Sequence, residues 1–98
     1  MTITKEKNAA ELKISLHGRL DTATAPQLEE ELSKSLDGIS ELIFDFSALD
    51  YISSAGLRVL LLAQKTMNKQ GSMKISNVSE TIMEIFEVTG FMDIMTIE

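Results

Sequence analysis

Two adjacent serines, Ser53 and Ser54, stand just before an apolar helix-like pattern, in the segment Leu49-Asp50-Tyr51-Ile52-Ser53-Ser54-Ala55-Gly56-Leu57. A serine at a helix start can do one of two things. Its hydroxyl can accept a first-turn N–H as a cap, a role worth about 1 kcal/mol. Or it can take a phosphoryl group, which adds about −1.5 to −2 charges and strong acceptor oxygens. There the new charge meets free N–H groups and the positive end of the helix dipole, so the fold tolerates it. A protein packed over that helix start would instead face a dianion and a bulkier side chain. Desolvating the dianion, or setting it beside a partner carboxylate, weakens such a complex. The pattern puts Ser54 at the N-cap position, with Ser53 as the neighbouring alternative acceptor. Gly56, in the first turn, costs helix propensity. One purpose of that glycine is to let another backbone or a bulky group come close.

The remaining polar residues make no case for catalysis. His17 is the only histidine, and there is no cysteine. A common zinc site therefore lacks its ligands, and no thiolate nucleophile or disulfide framework exists. No motif brings His17 within reach of either serine, as a His-assisted nucleophile requires. No two glycines lie close together, so there is no glycine-rich phosphate loop. The Glu29-Glu30-Glu31 run reads as a solvated helix face. The six methionines and four phenylalanines read as core filler. No cofactor and no metal is expected, and nothing argues for an enzyme.

Charge narrows the partners. Asp and Glu outnumber Lys and Arg by 15 to 9, a net charge of −6. An acidic domain is repelled by phosphate backbones and anionic lipid, which disfavours nucleic acid and membrane. A protein with a basic patch suits it better, although solubility alone also explains such a charge. At 98 residues the chain is expected to be one domain, 1–98. No apolar run approaches the roughly 20 residues of a membrane span. Met1–Ala10 is polar and carries no signal-peptide pattern, and with the lack of cysteine this points to the cytoplasm.

These residues need a frame. Leu12, Ile14 and Leu16 alternate with polar neighbours, which predicts a half-buried strand over Glu11–His17. A weaker strand, Thr2–Lys7, precedes it, with a hairpin turn between. Thr24 and Gln27 have capping-box spacing, Pro26 lies in the first turn, and Glu29–Glu31 follow near the positive end of the dipole. Leu28, Leu32 and Leu36 form the buried stripe of this helix, and Gly38 stops it. Leu42–Phe46 is apolar except for Asp45, which predicts a central strand buried on both faces. A second helix spans Ser54–Lys69, with Leu57, Leu60, Leu61 and Ala63 in the core and Gly71 as its stop. It is apolar nearly all round at Val59–Ala63, so cover on more than one side is expected. Met73 and Ile75 mark a strand, Ser79 begins a third helix with Ile82, Ile85 and Phe86 inward, and Met95–Ile97 ends the chain as a strand. Strands alternating with single helices imply an α/β fold with parallel pairing through right-handed crossovers.

Gly18-Arg19-Leu20-Asp21, the string Asp50-Tyr51-Ile52-Ser53-Ser54-Ala55-Gly56-Leu57-Arg58-Val59-Leu60, and the segments Pro26–Leu36 and Ser79–Phe91 resemble the STAS domain family. Within it they are most similar to the bacterial anti-sigma factor antagonists. The resemblance covers nearly the whole chain. It implies a mixed, mostly parallel sheet of four or five strands with three or more packed helices. It also implies a partner switch. The unphosphorylated protein binds an anti-sigma factor that is also a serine kinase of the histidine-kinase-like ATPase type. Phosphorylation releases it, and a metal-dependent serine phosphatase resets it. Ser54 matches the phosphoacceptor, with Ser53 the fallback, and Asp21 matches an acidic position associated with kinase contact. Ser53, Ala55, Gly56, Leu57 and Arg58 are the expected partner-binding residues around them. The sequence departs from the family in having Ser53 where well-known members have aspartate. Many relatives also continue into a further C-terminal helix, whereas the sequence stops at Glu98, so reduced helical cover is expected at that edge. The competing reading is a STAS scaffold that is never phosphorylated, with Ser54 only capping its helix.

Overall fold

The alternation of apolar and polar residues becomes an alternation of burial. The computed structural model describes residues 1–98. Its elements are β1 (Thr2–Asn8), β2 (Glu11–Leu20), α1 (Ala25–Ser35), β3 (Glu41–Ile52), α2 (Ser54–Asn68), β4 (Ser72–Ser76), α3 (Glu80–Thr89), a 3-10 turn (Phe91–Asp93) and β5 (Thr96–Ile97). They build one sheet in the order β1-β2-β3-β4-β5. The β1–β2 hairpin is antiparallel, turning through Ala9 at φ 55°, and every later pair is parallel. This is the mixed, mostly parallel α/β sheet with three helices that the sequence implies.

Each of the three crossovers steps in the same direction across the sheet. Right-handed crossovers then place α1, α2 and α3 on a single face. Burial agrees. Leu12, Ile14 and Leu16 of β2, Leu42, Phe44 and Phe46 of β3, and Met73 and Ile75 of β4 are buried. They form one core with Leu28 and Leu32 of α1, Leu60 and Met67 of α2, and Ile82 and Phe86 of α3. An aromatic chain runs through it: Phe44 to Phe46 at 5.9 Å, Phe46 to Phe86 at 6.4 Å, and Phe86 stacked on Phe91 at 6.3 Å.

The other face of the sheet has no helix over it, which corrects the expectation of a doubly buried β3. Its Glu41, Ile43 and Asp45 are only half-buried, between Lys13 and Ser15 on one side and Lys74 and Ser76 on the other. Asp45 marks this polar face: Asn77 Nδ2 donates to it at 3.1 Å and Lys13 Nζ lies 3.9 Å away. His17 is exposed on the neighbouring strand β2, and no cluster of three His, Cys, Asp or Glu side chains forms anywhere.

Several helix ends differ from the sequence expectation. The Thr24–Gln27 capping box does not form. The Thr24 hydroxyl donates to the Arg19 carbonyl at 2.7 Å and accepts the Asp21 N–H at 2.9 Å, so it is spent on the preceding turn. Gln27 instead reaches the Met1 carbonyl at 3.3 Å. Because α1 starts at Ala25, its first turn holds no acidic residue. Glu30 and Glu31 lie further along, paired with Lys34 at 3.1 Å and Lys5 at 3.2 Å. The helix ends at Ser35, before Gly38, which serves the following turn at φ 78°. In α2, Val59, Leu60 and Ala63 are buried, Leu61 is half-buried and Leu62 is exposed, so cover comes from the sheet and from α1 but not from all sides. Gly71 is a close-packing site: a Cβ there would lie 1.8 Å from the Ser40 carbonyl oxygen, and α2 has already ended at Asn68.

Candidate functional site

The helix start that carries both serines is set by the length of β3. The strand continues to Ile52, well past the Leu42–Phe46 run that predicted it. Register shifts opposite β2, between Ser15 and His17 and between Gly18 and Arg19, absorb the polar residues that end the apolar run. Extended backbone therefore reaches Ser53, at φ −99° and ψ 175°, and helical geometry begins at Ser54. This corrects the capping assignment. Ser53 is the N-cap: its hydroxyl accepts the Gly56 N–H at 3.4 Å, and its carbonyl accepts the Leu57 N–H at 2.9 Å.

Ser54 is the first helical residue. It is exposed, and its hydroxyl makes no hydrogen bond within the chain. The backbone N–H groups of Ser54 and Ala55 likewise have no acceptor in the chain. Free donors and the positive dipole end thus sit beside an unoccupied hydroxyl. That is a favourable place for an anionic group.

Gly56 fixes where this helix start lies. A Cβ on Gly56 would stand 2.7 Å from Leu20 Cγ and 2.9 Å from the Leu20 carbonyl oxygen. The Ser53 N–H donates to the same carbonyl at 2.9 Å. The first turn of α2 is therefore pressed against the last residue of β2, and Asp21 follows directly. The close approach anticipated from the glycine is thus with Leu20. Gly56 and Leu57 are buried, Ala55 is half-buried, and Ser54 and Arg58 face outward.

Asp21 organises the loop next door. Its Oδ1 accepts the Ala23 N–H at 3.0 Å and the Thr24 N–H at 3.1 Å, a local turn that presents the loop to α1. Desolvation alone would push its carboxyl up. The hydrogen bonds from Thr24 and Ala23 and the nearby Arg19 charge outweigh it and hold the group below the ordinary carboxylate value. Two contributors were not legible as site residues. The Arg19 guanidinium lies 4.3 Å over the Tyr51 ring, and its Nε is 3.6 Å from Asp21 Oδ2. Arg19 and Tyr51 pair across β2 and β3 only because of the register shifts, which spacing along the chain does not reveal. Between the loop and α2, Thr22, Pro26, Ala55 and Arg58 line a small hollow of about 130 Å³.

The site is thus a surface of exposed hydroxyl, carboxylate, guanidinium and aromatic groups around one helix start, with no enclosed cavity. Residues 2–98 match the model of one family, described as the STAS domain. The chain belongs to the STAS domain family. Among curated relatives of this STAS domain is a putative anti-sigma factor antagonist, BtrV, of Bordetella bronchiseptica. It is 38% identical over 99 residues, covering 99% of this chain and 85% of the relative. The anti-sigma-B factor antagonist of Bacillus subtilis is 31% identical over 93 residues, covering 94% and 85%. The fold is that of SpoIIAA, a Bacillus cell fate determinant and anti-sigma factor antagonist. Its unphosphorylated form matches with a TM-score of 0.78 at 19% identity, over 99% of this chain and 87% of that one. Its phosphorylated form matches with 0.77 at 21%, over 99% and 91%. No helix of this STAS domain is long and apolar enough to cross a membrane.

Proposed function

We propose that this STAS domain is an anti-sigma factor antagonist that acts as a phosphorylation-controlled partner switch. In its unmodified state it binds an anti-sigma factor through the Asp21 loop and the start of α2. That partner is a histidine-kinase-like ATPase, which transfers a phosphoryl group from ATP to the Ser54 hydroxyl. The phosphoprotein lets go, and a metal-dependent serine phosphatase restores the binding form. The domain is the substrate of these reactions, not their catalyst, and a sigma-factor regulator of this kind works in the cytoplasm.

One observation carries this reading. Ser53 supplies the helix cap, so the Ser54 hydroxyl has no structural duty, although it stands exposed at the positive end of α2. A phosphate there adds no unpaired buried charge, and the free Ser54 and Ala55 N–H groups are at hand for its oxygens. The charge would act on whatever is packed against the surface. The relatives named as anti-sigma factor antagonists, and the likeness of this fold to both phosphorylation states of SpoIIAA, support the same reading.

The test is to incubate the domain with ATP and its ATPase partner, then locate phosphate by mass spectrometry and measure affinity. Ser54→Ala should abolish incorporation while keeping binding, and Ser54→Asp should weaken binding. Phosphate on a residue other than Ser53 or Ser54 overturns the site. Equal binding by Ser54→Asp and the parent protein overturns the switch and leaves a scaffold.

A further inference from the structure

The negative charge of the chain is not spread evenly. Residues 77–98 hold Glu80, Glu84, Glu87, Asp93 and Glu98 and no Lys or Arg, which accounts for five of the six net negative charges. Of these five, only Glu98 has a cation in reach, Lys74 at 3.9 Å. The same segment carries the two most exposed large apolar side chains of the molecule, Val88 at 88% exposure and Ile94 at 50%, with Met92 at 41% beside them. α3 turns Ile82 and Phe86 into the core, while Thr81, Glu84, Ile85, Val88 and Thr89 line a shallow hollow of about 320 Å³ on its outer side. Because β4 and β5 are parallel, α3 runs back along the sheet. The stretch Val88–Ile94 therefore lies at the end where the parallel strands begin, whereas Ser54 lies where β3 ends.

We propose that the outer face of α3 and the 3-10 turn after it form a second protein-docking surface, which receives a basic amphipathic helix. The chemistry selects the occupant. Apolar Ile85 and Val88, with Glu84 and Glu87 beside them, match a helix with an apolar stripe flanked by lysine or arginine. A second copy of this chain would set acidic residues against acidic residues, which like-charge repulsion disfavours. An added strand is a poorer fit, since the exposed edge strand β5 spans only Thr96–Ile97. Being at the other end of the sheet, this surface keeps its occupant whether or not Ser54 is modified. Only that independence leans on the switch reading.

A labelled amphipathic peptide, leucine on one face and lysine on the other, serves as the probe in fluorescence-anisotropy titrations of the intact protein. Saturable binding is expected, weakened about tenfold or more by Val88→Glu and also weakened by Glu84→Lys. Both positions are exposed, so the far-ultraviolet circular dichroism should stay that of the parent. If Val88→Glu binds the peptide as tightly as the parent, the attraction is bulk charge and the proposal fails. Sedimentation showing a dimer that Val88→Glu abolishes makes a second copy the occupant and also overturns it. Ser54→Asp should leave peptide affinity unchanged, and a tenfold change would refute the independence of the two surfaces while leaving the docking surface standing.

Discussion

The hydroxyl of Ser53 accepts the Gly56 N–H at 3.4 Å, one residue before an unbonded Ser54. Neighbouring serines of identical chemistry thereby differ in what their loss costs. Ser53→Ala should lower stability by about 1 kcal/mol, toward the lower end for a lost cap because the bond is long. Ser54→Ala should fall within about 0.5 kcal/mol of the parent, as exposed substitutions do. Thermal melts of the two variants check the difference.

Gly56 permits a contact that no other residue allows. Alanine would favour the helix by about 1 kcal/mol on propensity alone. Its Cβ, however, would lie 2.9 Å from the Leu20 carbonyl oxygen, a backbone atom that cannot rotate away. Overpacking of this kind costs about 1–3 kcal/mol. Gly56→Ala should therefore be destabilised in urea titrations. It should also shift the start of α2 relative to the Asp21 loop, which weakens partner binding more than its stability loss alone explains.

Asp21 combines two roles that one substitution separates. Asp21→Asn keeps an oxygen to accept the Ala23 and Thr24 N–H groups and removes the charge. If the carboxylate meets a cationic group on the partner, Asp21→Asn should lose about 1.5 kcal/mol or more of binding with little change in stability. Asp21→Ala should lose both, the turn contributing about 1 kcal/mol. Calorimetric titration alongside thermal melts distinguishes them.

Asp45 gives the fold an acid-sensitive element away from the serines. The Ser47 N–H at 2.9 Å, then Asn77, hold its carboxyl below the ordinary value; burial opposes them, and Lys13 adds a smaller pull. A carboxyl with a depressed folded value stabilises above its unfolded value, near 3.8, and that contribution fades as pH falls through the folded value. The stability gap between the parent and Asp45→Asn should thus be largest near neutral pH and shrink in acid, at a pH below 3.8. Urea melts at both pH values measure it.

Local pattern carried much of the architecture. The alternation Leu12, Ile14, Leu16 was enough for β2, and the start of α2 at Ser54 followed from where the apolar helical spacing began. The identity of the cap did not follow. It depends on β3 holding extended geometry through Ile52, and that depends on irregular pairing with β2, a tertiary property. The same irregularity hid the Arg19–Tyr51 contact. Ile43 misled in another way. Between Leu42 and Phe44 it reads as part of a doubly covered strand, yet it looks out from the bare side of the sheet. Apolar character does not reveal how many layers a fold has; the direction of the crossovers does.

The strand order has a consequence for how the molecule is made. No strand is inserted between two earlier ones, so each βα unit is laid against a sheet edge already present. A chain leaving the ribosome from its N-terminus can close the β1–β2 hairpin first and then add β3, β4 and β5 in turn. Only the hairpin is a local closure; the parallel pairings join distant residues, Glu11 with Glu41, Glu41 with Ser72 and Lys74 with Thr96, and such long-range closures are the slower steps. The acidic final segment arrives last and completes the growing edge, so truncations from the C-terminus should remove whole layers of assembly history in reverse order.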